Sequence, residues 1–249
     1  MKVIASDFDN TLFFEHNYFK SKDLEAIQSF QKQGHLFGIC SGRPFSGLLK
    51  PLEGVLQPDF FIVSTGGAIL DKDHHLLYGK KVVYTAIEEI YEKYKNEADL
   101  IVQTLDPNHF YCSNLGDEHE PYFIEVNSIS DMKNEDIYSI SLIHSTIERA
   151  KEITQEINKK YSEVRAYQNV DSIDIVHCEC SKGQAILKLK ELLNIKSIAG
   201  IGDSFNDVPM LDVVDHSFTF DESPKEIQLQ VDDIVHSISE AIQILEKEK

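Results

Sequence analysis

The chain has 249 residues, enough for one large domain or two modest ones, each able to bury its own core. Hydrophobic residues make up 42% and charged residues 27%, the balance of an ordinary soluble globular protein. Asp and Glu number 42 against 24 Lys and Arg, a formal charge of −18, and so acidic a surface repels phosphate backbones and anionic lipids, which argues against nucleic-acid and membrane partners.

Met1-Lys2 leads straight into Val3-Ile4-Ala5, with no apolar stretch of signal-peptide length. No run reaches the length of a bilayer span. A cytoplasmic protein is expected. Cys40, Cys112, Cys178 and Cys180 show no CxxC spacing, so reduced thiols are expected. His177-Cys178-Glu179-Cys180 is read as the end of an alternating strand with structural thiols, not as a zinc site.

Val3 to Ser6 is a short apolar strand ending at Asp7. Leu24, Ile27 and Phe30 follow at helical spacing, with Ser21 as the expected N-cap and Gly34 as the stop. Leu36 to Cys40 is a second strand, ending at Ser41-Gly42; Pro44 to Leu52 is a short helix. Phe60 to Val63 is a third strand, ending at Ser64-Thr65-Gly66-Gly67. Strands alternating with helices indicate a parallel sheet with crossover helices. Ala68 to Leu70 and Leu76 to Tyr78 flank a turn and read as a hairpin.

From Val83 to Cys178 the texture changes. A helix through Ile87, Ile90 and Tyr94 precedes a hairpin of Leu100–Leu105 and His109–Cys112 around Asp106-Pro107-Asn108. A strand at Ile140–Ile143, a helix through Ala150, Ile153 and Ile157, and strands at Val164–Tyr167 and Ile173–Val176 close the segment. Hairpins around helices indicate an inserted α+β domain at 83–178, the core being 1–82 and 179–249. The first pattern resumes where Ser181 and Gln184 stand at capping-box spacing before the apolar face of Ala185, Ile186 and Leu189. Ile198 to Ile201 is the next strand, ending at Gly202-Asp203, and two weaker strands alternate with helices to the end.

Ligands of open parallel sheets bind beyond the carboxyl ends of the strands. Asp7 and Asp9, Ser41, Lys182, and Asp203 with Asn206 and Asp207 are all delivered to that edge. Converging carboxylates repel one another unless a cation lies among them, and an all-oxygen donor set suits Mg²⁺. A phosphoryl group, with about −1.5 to −2 charge, resists an anionic nucleophile until metal and ammonium neutralise it. Asp7 and Asp9 are two residues apart, so one can bind metal and attack while the other moves a proton. With Lys182 neutralising charge and the Ser41 hydroxyl fixing the transferring oxygens they make one device, and phosphoryl transfer through an aspartyl-phosphate is the reaction that needs it.

Asp7-Phe8-Asp9-Asn10-Thr11 resembles the first motif of the haloacid dehalogenase superfamily, Asp-x-Asp-x-Thr. Ser41-Gly42-Arg43-Pro44 is similar to the second, Lys182-Gly183 to the third and Gly202-Asp203-Ser204-Phe205-Asn206-Asp207 to the fourth. Their order, and the insertion between the second and third, resemble the Cof-type branch over essentially the whole chain. The resemblance implies an α/β Rossmann-like core with an inserted α+β cap. It implies that Asp7 attacks phosphorus and binds Mg²⁺. Asp9 then protonates the leaving group, activates water, and meets the metal through its backbone carbonyl. It also assigns Ser41, Gly42 and Lys182 to phosphate, Asp203 to the metal, and Asn206 and Asp207 to support of the metal or Lys182. Two positions depart from the pattern: Asn10 replaces a usual Gly, and Gly66 replaces an Asn near the substrate.

Arg43 and Arg165, two of only three arginines, are candidates to meet the substrate, as are His109, Tyr111 and Asn114 on the cap hairpin. The expected partner is a small phosphorylated metabolite, a sugar phosphate or similar monoester. A phosphosugar mutase using the same core is the nearest rival reading. A catalytically idle phospholigand-binding protein is the other, and the Asp pair argues against it, because binding alone needs no nucleophile with a proton donor.

Overall fold

Val3–Ser6 is buried at every position, as a strand covered on both faces requires. In the computed structural model, which describes residues 1–106, 110–113, 123–143 and 146–247, this run is β1. A ribbon of β2 (Phe13–Phe14) and β3 (Tyr18–Phe19) follows, then α1 (Ser21–Lys32), β4 (Leu36–Cys40), α2 (Ser46–Leu52), β5 (Phe60–Val63), β6 (Ala68–Asp71) and β7 (Leu76–Gly79). The middle of the chain forms α3 (Tyr84–Tyr94), β8 (Asp99–Gln103), β9 (Phe110–Cys112), β10 (Phe123–Glu125), β11 (Ser139–Ile143), α4 (Ile147–Lys160), β12 (Val164–Asn169) and β13 (Ser172–His177). The last part forms α5 (Lys182–Leu192), β14 (Ala199–Ile201), α6 (Val208–Leu211), β15 (His216–Phe220), α7 (Lys225–Gln228), β16 (Asp233–Val235) and α8 (Ile238–Lys247). No helix among the described residues is long and apolar enough to cross a membrane.

The first sheet has the order β16-β15-β14-β1-β4-β5-β6-β7. Strands β16 to β5 are mutually parallel, and β6 and β7 add an antiparallel edge. The chain leaves β1 for β4 on one side and returns to β14 on the other, so the strand order reverses at β1, where such sheets bind ligands. The second sheet, β10-β9-β8-β11-β13-β12, is antiparallel except between β9 and β10. Side chains alternate across it. Leu100, Val102, Ile140, Leu142, Ile173 and Ile175 pack with Ile87, Ile90, Ile153 and Ile157 of α3 and α4. The opposite face carries Gln103, Ser141, Asp174, Arg165 and Tyr167. This is an α/β fold with a mainly parallel central sheet and an inserted second layer, as expected from the order of elements.

Several local expectations change. Helix α1 begins at Ser21 itself, so Lys20 holds the cap position and no side chain caps it. Gly34 does follow its end, at φ +82°. The β2–β3 ribbon and β10 are too short to leave a periodic signal. Strand β13 stops at His177, so Cys178 and Cys180 lie in the next turn instead of on an alternating strand, where Cys180 is buried and its N–H donates to the His177 carbonyl. Pro107 and Asn108 of the expected cap hairpin turn lie outside the described residues.

Candidate active site

The loop after β1 is pinned by an aromatic side chain. Phe8 is fully buried and stacks on Phe13 with centroids 5.0 Å apart, while Phe13 meets Phe19 at 5.1 Å. The Phe8 carbonyl accepts from the N–H groups of Leu12 and Phe13, closing the turn. Asn10 takes φ +58°, the left-handed conformation that Asn tolerates better than most residues, so the turn is kept without glycine. With Phe8 buried between them, Asp7 and Asp9 have different surroundings. Asp7 is buried; the Asp9 side chain is 47% exposed.

Lys182 opens α5, whose cap is Ser181, its Oγ accepting from the Gln184 N–H at 3.0 Å. A cation at a helix start is opposed by the macrodipole, yet Lys182 is only 1% exposed and its Nζ lies 2.6 Å from Asp7 Oδ1 and 2.6 Å from Asp207 Oδ1. The other Asp207 oxygen accepts from the N–H groups of Asp203 and Ser204, at 3.1 Å each. Asp203 Oδ1 accepts from the Thr11 hydroxyl at 3.0 Å. Asp7, Asp203 and Asp207 each offer a carboxylate oxygen, all within 4.8 Å of one another.

Three carboxylates face one ammonium, so two formal negative charges are left over in a mostly buried space. Burial alone would favour neutral Lys182, but the charges of Asp207 and Asp7 outweigh it and hold the ammonium well above its usual range. The excess falls on the acids. Burial, then the Asp207 charge, raises Asp7 well above the usual carboxylate range although Lys182 opposes this. Asp203 is pushed up to about 6 by burial and by Asp207, with Thr11 pulling the other way. A hard divalent cation with oxygen ligands fits this donor set, because it would supply the missing charge.

Ser41, at the end of β4 next to β1, is buried, and its Oγ accepts from the Arg43 N–H at 3.1 Å. Arg43 turns its guanidinium to Asp9, with Nη2–Oδ1 at 2.6 Å and Nε–Oδ2 at 2.9 Å, over the Phe8 ring at 5.1 Å. The Asp9 side chain therefore lies outside the carboxylate trio; the metal contact expected of it runs through its carbonyl. Asn206 accepts from Ser204 Oγ at 2.8 Å, and it is Asp207 that meets Lys182. Arg165 is exposed on β12, lining a cleft of about 640 Å³ with Tyr167, Cys178, Gln184 and Lys188, which the trio itself does not line. His109, Asn114 and the side chain of Tyr111 lie outside what the structure describes.

Thr11 has no role in the sequence reading, although the Asp-x-Asp-x-Thr motif ends on it; the structure gives it Asp203. Position 66 explains its own departure. Gly66 has φ +88°, and a Cβ there would lie 2.2 Å from the Ser181 carbonyl, so this packing leaves no space for a side chain.

A buried carboxylate oxygen beside an ammonium and two further acids is equipped to attack an electrophile whose own negative charge is neutralised locally. Comparison with known proteins points the same way. A family model described as haloacid dehalogenase-like hydrolase matches residues 4–242. An uncharacterized protein of Mycoplasma capricolum is 31% identical over 235 residues, 85% of this chain and 87% of that one. The 5-amino-6-(5-phospho-D-ribitylamino)uracil phosphatase YwtE of Bacillus subtilis is 25% identical over 266 residues, 92% of this chain and 90% of the relative. Among solved structures, a haloacid dehalogenase-like hydrolase from Bacillus subtilis shares the fold with a TM-score of 0.85 over 100% of both chains, at 17% identity. The chain belongs to the haloacid dehalogenase-like hydrolase family and is an enzyme of its phosphatase type.

Proposed function

We propose that this phosphatase hydrolyses small phosphomonoesters, sugar phosphates or similar polyol phosphates, with Mg²⁺ and through a phosphoryl group carried on Asp7. The observation that carries the reading is the placement of Asp7: buried, bonded to Lys182, and within 4.8 Å of Asp203 and Asp207 through one oxygen of each. In this reading residues 1–82 and 179–249 are the catalytic core, and 83–178 are a cap that closes over the substrate and limits water.

The Asp7 carboxylate attacks phosphorus while the bond to the leaving oxygen breaks, and Asp9 gives that oxygen a proton. Asp9 then takes a proton from water, whose oxygen attacks the same phosphorus, releasing inorganic phosphate and restoring Asp7. Lys182, Ser41 and the Gly42 backbone hold the phosphoryl oxygens. Arg43, bonded to both oxygens of Asp9, fixes the position of that carboxyl group. Asp7, Asp203 and the Asp9 carbonyl would hold Mg²⁺, with Asp207 and Asn206 in support, and when bound it would supply the positive charge that the carboxylates and the phosphoryl group lack. The polyol class is supported by the substrate named for the Bacillus subtilis relative, a phosphorylated ribityl compound.

The test is a panel of sugar and polyol phosphates incubated with Mg²⁺, reading released inorganic phosphate and, by chromatography, any isomerised sugar phosphate. Phosphate release that vanishes in Asp7→Asn, with the fold intact by circular dichroism, supports the reading. Isomerised product in place of phosphate would establish a mutase, and release that survives Asp7→Asn would remove the covalent route.

A further inference from the structure

One buried carboxylate has no part in the steps above. Asp174 sits on β13, on the face of the second sheet turned to the core, and is buried. Its Oδ1 accepts from the Ser141 hydroxyl at 2.7 Å, and Ser141 Oγ in turn accepts from Gln103 Nε2 at 3.0 Å. Its Oδ2 reaches the first sheet, where the Thr65 hydroxyl donates to it at 3.0 Å. The same oxygen lies directly over Gly42: a Cβ at that position would be 2.8 Å away.

Thr65 is tied equally closely to the Ser41 loop. Its N–H donates to the Ser41 carbonyl at 3.1 Å, and the Ser64 N–H donates to the Arg43 carbonyl at 2.9 Å. Ser64 and Thr65 have φ +52° and +53°, a conformation that is strained for a β-branched side chain and persists only where the surroundings enforce it. Other contacts between the two sheets lie beside the chain connections. Gly79 leaves no space beside the Tyr138 ring, the Val82 N–H donates to the Ile137 carbonyl, and the Tyr167 hydroxyl donates to the Cys180 carbonyl. Those contacts surround the segments that a hinge would use. The Thr65–Asp174 bond lies next to them, Asp174 being paired with Tyr167 across β13 and β12, but of these contacts it is the one that reaches over the loop assigned to phosphate.

We propose that Asp174 is a positioning residue whose bond to Thr65 latches the second sheet over the Ser41–Gly42 loop, holding that loop in shape for the phosphoryl group whatever the leaving group. The proposal rests on the reading that this loop holds phosphate. A latch of this kind is reversible, because closing takes the carboxylate out of water and the two hydroxyls only partly compensate; burial raises the Asp174 carboxyl despite both bonds. Gly42 is the position that lets the carboxylate come so close. A larger residue there would push Asp174 off the loop.

Two measurements on Thr65→Val, Thr65→Ser, Asp174→Ala, Asp174→Asn and the double variant Thr65→Val/Asp174→Ala test it. The first is steady-state kinetics with p-nitrophenyl phosphate, whose leaving group carries no polyol, and with a hexose phosphate. Thr65→Val and Asp174→Ala should raise KM about tenfold for both substrates, the size expected of one hydrogen bond to a charged group. The double variant should be no worse than either single one. Thr65→Ser and Asp174→Asn, which keep a hydrogen bond, should recover most of the loss. An Asp174→Ala effect on the hexose phosphate alone, with Thr65→Val silent, would overturn the latch and make Asp174 a reader of substrate hydroxyls; multiplying effects in the double variant would overturn it too. The second measurement is hydrogen–deuterium exchange, which needs no turnover. Thr65→Val should speed exchange at residues 41–43 about tenfold and leave β1 unchanged. Unchanged exchange at 41–43 would refute the latch even in an active enzyme, whereas wild-type protein that releases no phosphate would sink the hydrolase reading and leave the exchange result standing.

Discussion

Replacing Lys182 by Met would show how far the site depends on one buried ammonium. Met has a similar length and fills much the same space, so the change removes charge with little change of volume. Lys182 is 1% exposed and holds Asp7 and Asp207 at 2.6 Å each; Asp207 is 0% exposed. Without it, Asp7, Asp203 and Asp207 face one another and the ammonium that meets two of them is gone. Removing one partner of a buried ion pair costs about 3–5 kcal/mol, because the other charge stays buried and uncompensated. For a chain of this size each kcal/mol moves the melting temperature by roughly 2–4 °C, so a fall of roughly 6–20 °C is expected. The assay is thermal unfolding by circular dichroism in EDTA at neutral pH, so that no metal masks the loss. Adding Asp207→Asn to Lys182→Met should recover part of it, and the fall should shrink at acid pH as protons take the place of the ammonium. Phosphatase activity should be lost in both variants. A Lys182→Met protein within about 0.5 kcal/mol of wild type would refute the reasoning, since the carboxylates would then need no ammonium.

Asp9→Asn should lower kcat by about 10²–10⁴-fold, the range of a lost general acid, while keeping one of the two Arg43 bonds and changing the melting temperature little, since the pair is half-exposed; an unchanged kcat would remove its proton-carrying role. Asp203 is raised to about 6 from 3.8, so the folded, cation-free protein holds this proton more tightly than the unfolded chain does. The resulting penalty is complete above the folded value and is relieved as pH falls through it toward the unfolded one. The stabilisation given by Mg²⁺, read as the melting-temperature difference with and without it, should therefore be largest above about pH 6 and fade below; a difference that grows on acidification would contradict this. Asp23→Ala should lower stability by about 0.5–2 kcal/mol in urea unfolding with kinetics unchanged, because Asp23 Oδ1 accepts from the Ser239 N–H in the first turn of α8 at 2.8 Å. Its other oxygen is buried without a partner, so a gain in stability would mean that desolvation outweighs the cap.

The sequence by itself determined where the polar groups would gather. Asp7, Ser41, Lys182 and Asp203 stand at the ends of apolar runs or at a capped helix start, and period and caps are local signals that survive without a fold. Strands as short as β2, β3 and β10 carry no such period. The partners of the site residues needed the tertiary structure. Arg43 is a candidate for the substrate by sequence, and the fold gives it to Asp9, 34 residues away, because β1 and β4 are neighbours in the sheet. Asp207, expected to support the metal or Lys182, meets that ammonium 25 residues away while its other oxygen accepts from the Asp203 and Ser204 N–H groups, an arrangement that exists only once α5 and the loop after β14 are brought together. Thr65 and Asp174 are 109 residues apart, and neither belongs to a motif. A hydrogen bond has a reach of a few ångströms and no memory of chain distance, so which carboxylate it satisfies is settled only when the sheets are in place.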